Sequence, residues 1–207
     1  MFMAESEQID IPYWRTTFCN GEAEAIVDAI QCEHISQGPI VAEFESKLAA
    51  YLGMPYVVTT TSGSTAILMS LLAAGVGQGD EVIVPNRTWI ATAHAPYLLG
   101  ATVKLVDVES DRPIINASLI EGIITERTKA IIPAHMCGRS ADMGSINDIA
   151  QRYNLLVIED AAQALGSRNA DGYLGTQSDM GCFSLSVAKI ISTGQGGFVT
   201  TRSEKIY

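Results

Sequence analysis

The feature that most constrains the fold is a regular alternation of short apolar segments with longer segments of helical periodicity. Seven apolar segments are predicted strands, at residues 56–60, 81–85, 102–107, 130–134, 155–159, 180–184 and 197–201. Helical stretches separate the first five strands, at residues 64–74, 88–98, 118–124 and 145–153. This alternation predicts an α/β fold with three layers, α/β/α, around a mostly parallel central sheet of about seven strands.

The strand sequences also indicate how the sheet is covered. Residues 82–84 and 155–158 are continuously apolar, which is typical of strands buried on both faces. No helical pattern separates the last two strands, which leaves room for one antiparallel strand. Two amphipathic helices, at 24–32 and 39–52, precede the sheet. We therefore expect one domain, with a helical segment over about 1–53 and a sheet region over about 54–207.

Composition excludes several classes of protein. The 207 residues include 13 Lys plus Arg against 23 Asp plus Glu, a net charge of −10 that argues against a nucleic-acid partner. Hydrophobic residues at 47% and charged residues at 17% exclude a disordered chain. Apolar runs fall short of the ~20 residues that span a bilayer. Residues 1–10 carry no secretory signal, so a cytoplasmic location is expected.

Four cysteines are too far apart to suggest a shared site: Cys19, Cys32, Cys137 and Cys182. No pair has the C-x-x-C spacing, so neither a disulfide framework nor a zinc site is predicted, and we expect no metal. Buried or half-buried thiols are the expectation for all four.

Ligands of open α/β sheets bind beyond the carboxyl ends of the strands, so the loops there carry the candidate chemistry. Residues 61–65, Thr-Ser-Gly-Ser-Thr, lead from a strand into a helix and would suit a phosphate, although taken alone they are better explained by an ordinary Ser or Thr helix cap. Trp89 follows the next strand and could stack on a planar ligand or pack in the core. His135 follows a later strand, where a structural hydrogen-bonding role competes with a role in a site.

Two acidic residues and one lysine complete the set. Glu159 and Asp160 end a buried strand, and strand alternation points them to opposite faces, which favours one directed carboxylate over an acid/base pair. A buried carboxylate needs a partner, such as a protonated heterocyclic nitrogen. Lys189 lies in an apolar segment before a glycine-rich loop, either as a desolvated nucleophile for carbonyls or as a lysine with its amine in water. A phosphate turn, an aromatic ring, a carboxylate and a reactive lysine together are the parts of a pyridoxal phosphate (PLP) site.

The chain resembles the DegT/DnrJ/EryC1/StrS family of PLP-dependent nucleotide-sugar aminotransferases, which have fold type I. The resemblance extends from Ile11 to Thr201 and rests on the order of seven segments: SQGP (36–39), EFE (43–45), GDEVIVP (79–85), TWIATA (88–93), TKAIIP (128–133), ADM (141–143) and EDAAQALG (159–166). It implies catalytic roles for Lys189, which would attach the cofactor and move protons, and Asp160, which would pair with the ring nitrogen. The other implied cofactor contacts are Gly63, Ser64, Thr65, Trp89, Gln163 and Ser184.

The resemblance also implies a reaction and a quaternary structure. An amino donor, commonly glutamate, would supply the amine for a keto group on a nucleotide-linked sugar, in the synthesis of cell-surface polysaccharides or glycosides. The full-length protein would be a homodimer. Relatives carry a smaller C-terminal domain, so residues 1–207 look like the PLP-binding large domain alone.

Two other functions stay open at this stage. One is a different fold-type-I reaction, such as that of a sugar dehydratase or lyase, although Lys189 disfavours the dehydratases that carry histidine at this position. The other is a truncated, non-catalytic remnant that binds the cofactor. Gln195 is a departure from the family pattern, which most often has glutamate there.

Overall fold

A computed structural model describes Pro12, residues 14–19 and residues 21–207. The acidic residues 1–10 lie outside this range. Within it, the helices are α1 (Glu22–Gln31), α2 (Pro39–Leu52), α3 (Gly63–Ala73), α4 (Ala91–Leu98) and α5 (Met143–Tyr153). The strands are β1 (Tyr56–Thr60), β2 (Glu81–Pro85), β3 (Thr102–Val106), β4 (Thr128–Ile131), β5 (Leu156–Asp160), β6 (Arg168–Asn169), β7 (Gly172–Tyr173), β8 (Met180–Ser184) and β9 (Gly197–Thr201).

Seven of these strands form the central sheet, in the order β1-β9-β8-β5-β4-β2-β3. Neighbours from β8 to β3 pair in parallel, whereas β9 is antiparallel to both β1 and β8. The predicted mostly parallel sheet is therefore confirmed, with its antiparallel strand at the end of the chain. β6 and β7 form a separate small hairpin.

Helices cover both faces of the sheet. Ile83 and Val157 pack in one core cluster with residues of α5, whereas Val82, Val84 and Ile158 pack in another with residues of α3 and α4. Residues next to each other on a strand thus face different layers, as the alternation of side chains along a strand requires. This explains why residues 82–84 and 156–158 are apolar at every position.

A third cluster fixes α2 against the other end of the sheet. Leu48 and Leu52 of α2 pack with Val57 of β1, and with Phe183 and Phe198 of the adjacent strands. The two phenyl rings stack with centroids 4.4 Å apart. Gly53 ends α2 in the left-handed conformation, with φ of 65°, which is typical of a glycine that terminates a helix.

Three sequence-based expectations were wrong in detail. Residues 118–124 do not form one helix but two short 3₁₀ turns, Ala117–Leu119 and Glu121–Ile123, because the segment is too short to nucleate an α-helix and contains Gly122. The helix predicted from residue 88 begins at Ala91. Three of the thiols expected to be buried are exposed, those of Cys19, Cys32 and Cys137, whereas Cys182 is buried.

The exposed thiols have a local cause. Cys19 and Cys32 flank α1, none of whose residues is buried, and its apolar residues Ile26 and Ile30 are each 60% exposed. Cys137 lies in a tight turn after β4 with a positive φ of 54°. Of the helices in the described range, none is long and apolar enough to cross a bilayer.

Candidate active site

The strand order brings the candidate loops to one edge of the sheet. Thr60, the last residue of β1, and Ser184, the last residue of β8, both lie opposite Gly197 of the antiparallel strand between them. β5 is parallel to β8, so Asp160 ends at the same edge. The loops that follow β1, β5 and β8 therefore converge there, as predicted for a ligand site of an open α/β sheet.

The first turn of α3 forms a tightly packed cradle at this edge. A Cβ on Gly63 would lie 2.7 Å from Ser184 Cβ, so only glycine lets the helix start approach β8 this closely. A Cβ on Gly197 would lie 2.5 Å from the carbonyl carbon of Ser62. Backbone N–H groups of a first helical turn have no partner within the helix, so those of Gly63 and Ser64 are available to an anion.

The helix cap is present in this turn, next to the cradle. The Ser62 hydroxyl caps α3 by accepting from the Thr65 N–H at 3.1 Å. Thr65 Oγ1 lies 2.7 Å from Ser62 Oγ and 3.0 Å from Thr61 Oγ1. The Thr65 hydroxyl thus takes part in the cap, whereas Ser64 is exposed and the buried Ser184 packs against Gly63.

Asp160 is a buried carboxylate whose partners are all neutral. Its side chain is 7% exposed. Oδ2 accepts a hydrogen bond from Thr92 Oγ1 at 2.6 Å, and Oδ1 accepts one from the Ala162 N–H at 3.2 Å. None of the ion pairs within the described residues involves Asp160. A buried carboxylate with this set of donors still lacks a compensating positive charge.

Lys189 lies in the turn that follows β8, on the loop leading to β9. Its side chain is half-buried, and this burial lowers the pKa of the amine, while the nearby charge of Asp160 opposes the effect and raises it. The loop is held in a turn by the Lys189 N–H, which donates to the Ser186 carbonyl at 3.0 Å. An amine whose pKa is lowered by burial is a chemically competent nucleophile for carbonyl groups.

Trp89 and Gln163 occupy different surroundings. Trp89 is 70% exposed, so it is not the core packing residue that its size alone would favour. It lies between Thr88 and Thr92, whose hydroxyls are 2.8 Å apart. Gln163 Oε1 accepts from the Cys137 N–H at 2.8 Å, which links the loop after β5 to the turn after β4.

Glu159 points to the opposite face from Asp160, as strand alternation predicts. Its carboxylate is fully buried and accepts from four groups, His135 Nε2 at 2.9 Å, Gly175 N–H at 2.7 Å, Gln177 N–H at 2.7 Å and Ser178 Oγ at 2.9 Å. His135 Nδ1 accepts from the Ala141 N–H, so the ring proton is on Nε2 and is donated to Glu159. His135 therefore has the structural role that competed with a role in the site.

Sequence reasoning missed two residues of this site. Thr92 reaches Asp160, and Thr88 supports Thr92, yet neither was among the candidates. A signal was present, because residues 88 and 92 are four apart and share a face when the segment is helical. Nothing in the local sequence, however, shows that this face meets the end of β5.

The sequence profile of the DegT/DnrJ/EryC1/StrS aminotransferase family matches residues 18–207. The chain belongs to this family. Among DegT/DnrJ/EryC1/StrS relatives, it is 40% identical over 186 residues to the GDP-perosamine synthase of Caulobacter vibrioides, covering 89% of this chain and 50% of that protein.

Two further comparisons agree with this membership. The chain is 37% identical to the UDP-4-amino-4-deoxy-L-arabinose–oxoglutarate aminotransferase of Shewanella sediminis, covering 95% of this chain and 50% of that protein. A Streptococcus pneumoniae protein described as a sugar aminotransferase superposes with a TM-score of 0.90 at 29% identity, covering 96% of this chain and 55% of that one, and has been solved in PLP and PMP forms. The chain thus spans about half the length of the curated relatives that it matches.

Proposed function

We propose that this chain is the cofactor-binding part of a PLP-dependent aminotransferase that transfers an amino group to a keto group of a nucleotide-linked sugar. The observation that carries the proposal is the half-buried Lys189 amine. The pKa of this amine is affected by the charge of the buried Asp160, which ends at the same edge of the sheet as the Gly63–Ser184 cradle. Family membership supports the reaction class, and the names of the two curated relatives support a nucleotide-linked sugar as substrate.

The residues present fit pyridoxal phosphate on two independent observations. The buried Asp160 carboxylate lacks a cationic partner among the described residues and suits a protonated ring nitrogen. Gly63 lets the first turn of α3 pack directly against Ser184 at the end of β8, which brings free backbone amides that suit a phosphate to the same edge of the sheet as Asp160. We assign phosphate contacts to Gly63, Ser64 and Ser184. Thr65 would support them through the helix cap.

Three further residues complete the proposed site. Trp89 offers an exposed ring for stacking. The Gln163 side-chain oxygen accepts a hydrogen bond from the Cys137 N–H, so its amide nitrogen is left to donate near the ring hydroxyl of the cofactor. When bound, the cofactor supplies a carbonyl group that takes up an amine and a ring that withdraws electrons from it. Each assignment is tested by a substitution at the residue named.

Lys189 carries the chemistry that the chain itself supplies. Its lowered pKa increases the fraction of neutral amine at physiological pH, and only the neutral amine can attack a carbonyl or accept a proton. Lys189 Nζ is thus both the attachment point and the proton carrier. Through its carboxylate, Asp160 would hold a proton at the ring nitrogen of the bound cofactor. The Asp160 carboxylate is kept from rotating by its two neutral donors.

The amino donor and the assembly are further parts of the proposal. Glutamate is proposed as donor, because the name of the Shewanella relative pairs its amine transfer with oxoglutarate, the product that glutamate leaves. Residues 1–207 would form the PLP-binding large domain, with a helical segment over about 1–53 and a sheet region over about 54–207. A smaller C-terminal domain and a homodimer would complete the whole protein, acting in the cytoplasm in polysaccharide or glycoside synthesis.

Cofactor attachment is the decisive test. The purified chain is incubated with pyridoxal phosphate and reduced with borohydride, and the modified lysine is mapped by mass spectrometry. We expect labelling at Lys189 that disappears in Lys189→Ala and persists in Lys129→Ala, a matched control at an exposed position of β4. Labelling spread over surface lysines, equal in both variants, would contradict the proposal and favour a remnant without a site.

The reaction class needs a separate assay. The full-length protein is incubated with glutamate and a nucleotide-linked keto sugar, and the product is analysed by mass spectrometry. An aminated sugar together with oxoglutarate is expected. Loss of a hydroxyl group without amination would instead assign the chain to a sugar dehydratase.

A further inference from the structure

We propose that Thr92 is a positioning residue that fixes the Asp160 carboxylate in the orientation needed to meet a cationic ring nitrogen, with Thr88 holding Thr92 in place. This inference rests on the proposed function, because the ring nitrogen belongs to the cofactor proposed above. It adds two residues that neither the resemblance nor the names of the relatives assigns.

The Thr92 side chain is in an unusual place for a hydroxyl. Thr92 lies in the first turn of α4, is 0% exposed, and donates to Asp160 Oδ2 at 2.6 Å. The two residues are 68 positions apart in sequence, so the contact connects α4 directly to the end of β5. A hydroxyl at this burial, bonded to an ionised group, costs more to leave unpaired than a surface hydroxyl does.

The direction of each hydrogen bond follows from the donors available. An ionised carboxylate only accepts, so the single hydroxyl hydrogen of Thr92 points to Asp160. The contact of 2.8 Å between Thr88 Oγ1 and Thr92 Oγ1 then requires Thr88 to donate to Thr92. The Thr92 hydroxyl is therefore constrained from both sides, and its hydrogen has one orientation.

The carboxylate of Asp160 is correspondingly fixed at both oxygens. Thr92 holds Oδ2, and the Ala162 N–H holds Oδ1 at 3.2 Å. The backbone is fixed as well, because the Asp160 N–H donates to the Pro133 carbonyl at 2.8 Å, and the Asp160 carbonyl accepts from the backbone N–H of His135 at 3.0 Å. Each oxygen retains a lone pair beyond these bonds, so the carboxylate can still accept from a ring N–H.

A matched set of variants separates positioning from fold stability. Thr92→Val removes the hydroxyl at nearly constant shape, and Thr92→Ser keeps it. Thr200→Val is the control, because Thr200 is also 0% exposed and also donates through its hydroxyl, at 2.7 Å to the Gly175 carbonyl, away from Asp160. Thr88→Val removes the supporting donor at a partly buried position and guards against a Thr92→Val variant that does not fold.

Two measurements are made on each variant of the chain. The first is the dissociation constant for pyridoxal phosphate, followed by absorbance. Thr92→Val is expected to weaken binding about tenfold, the effect of losing a hydrogen bond to a charged group, and Thr92→Ser and Thr200→Val by less than about threefold. Thr88→Val is expected to shift binding in the same direction by less. The second measurement is the ¹³C resonance of the Asp160 side-chain carboxyl carbon at pH 7 without cofactor, assigned by its loss in Asp160→Asn.

The second readout keeps this inference separate from the proposed function. We expect the carboxyl resonance to move in Thr92→Val, to return toward the wild-type position in Thr92→Ser and to stay in place in Thr200→Val. If the wild-type chain does not bind the cofactor, the proposed function fails while the resonance still decides the role of Thr92. Identical behaviour of Thr92→Val and Thr200→Val in the resonance would overturn the positioning role.

Discussion

Glu159 and Asp160 are consecutive residues of one buried strand, yet they occupy chemically different surroundings. Glu159 faces the layer that contains α5 and is bonded to four donors from its own chain, including His135. Asp160 faces the layer that contains α3 and α4 and has two neutral donors, Thr92 and Ala162. Both carboxylates are buried, so the difference is in how completely the chain itself satisfies each one.

This difference separates a structural carboxylate from a candidate functional one. The four donors of Glu159 connect β5 to the turn after β4 and to the segment after the β6–β7 hairpin. They complete the acceptor capacity of a carboxylate, which has about four lone-pair sites. Asp160 keeps capacity to spare beside a lysine whose pKa is lowered by burial. Incomplete satisfaction of a buried charge is therefore the physical mark of the candidate site.

The comparison predicts its largest effect at Glu159. Glu159→Gln places an amide N–H₂ group among donors, which leaves at least one buried donor without an acceptor. We expect the free energy of unfolding to fall by about 3 kcal/mol, as for loss of one partner in a buried charged network. Urea unfolding followed by circular dichroism measures it. The control is Glu121→Gln at an exposed ion pair with Arg152, where a much smaller change is expected.

A smaller loss of stability is expected at Asp160. In Asp160→Asn, the new amide oxygen can still accept from Thr92, but the hydrogen bond from the Ala162 N–H is lost. The substitution also removes an uncompensated buried charge. These effects oppose each other, so the free energy of unfolding should change by less than about 1 kcal/mol. Binding of pyridoxal phosphate should weaken by about tenfold or more. A stability loss as large as that of Glu159→Gln would erase the distinction between the two carboxylates.

The sequence predicted the elements of this comparison but not their connections. Residues 56–60, 81–85, 180–184 and 197–201 were predicted strands with the observed bounds, because apolar runs bounded by turn residues are a local signal. The opposite orientation of Glu159 and Asp160 followed from strand geometry alone. Asp160 and Lys189 are candidates from their local sequence, and the resemblance, which the family match over residues 18–207 supports, implies their roles.

The contacts that the sequence could not predict join residues that are far apart in the chain. The side-chain partner of Asp160, Thr92, lies 68 residues away, and the four donors to Glu159 lie 16 to 24 residues away, so neither set is visible in a local pattern. Exposure of Cys19 and Cys32 depends on α1 having no buried residue, although its periodicity is that of a packed helix. Periodicity shows which face of a helix is apolar, whereas the tertiary arrangement decides what covers it.

The smallest effect is expected at Lys189, where the chemical reactivity of the amine measures how the Asp160 charge changes its pKa. Burial lowers the pKa of the amine, so acylation of Lys189 by trace acetic anhydride should rise at a lower pH in the folded chain than in the urea-unfolded chain.

The Asp160 carboxylate opposes this shift by stabilising the ammonium form. Asp160→Asn should therefore lower the pKa of Lys189 further and move its labelling curve to still lower pH. An unchanged curve, or a shift toward higher pH, would mean that the carboxylate does not stabilise the ammonium form of this amine, and the link between the two residues would be lost. Mass spectrometry of the Lys189 peptide gives both curves in one experiment, and it requires no cofactor, so the charge coupling is tested independently of the reaction.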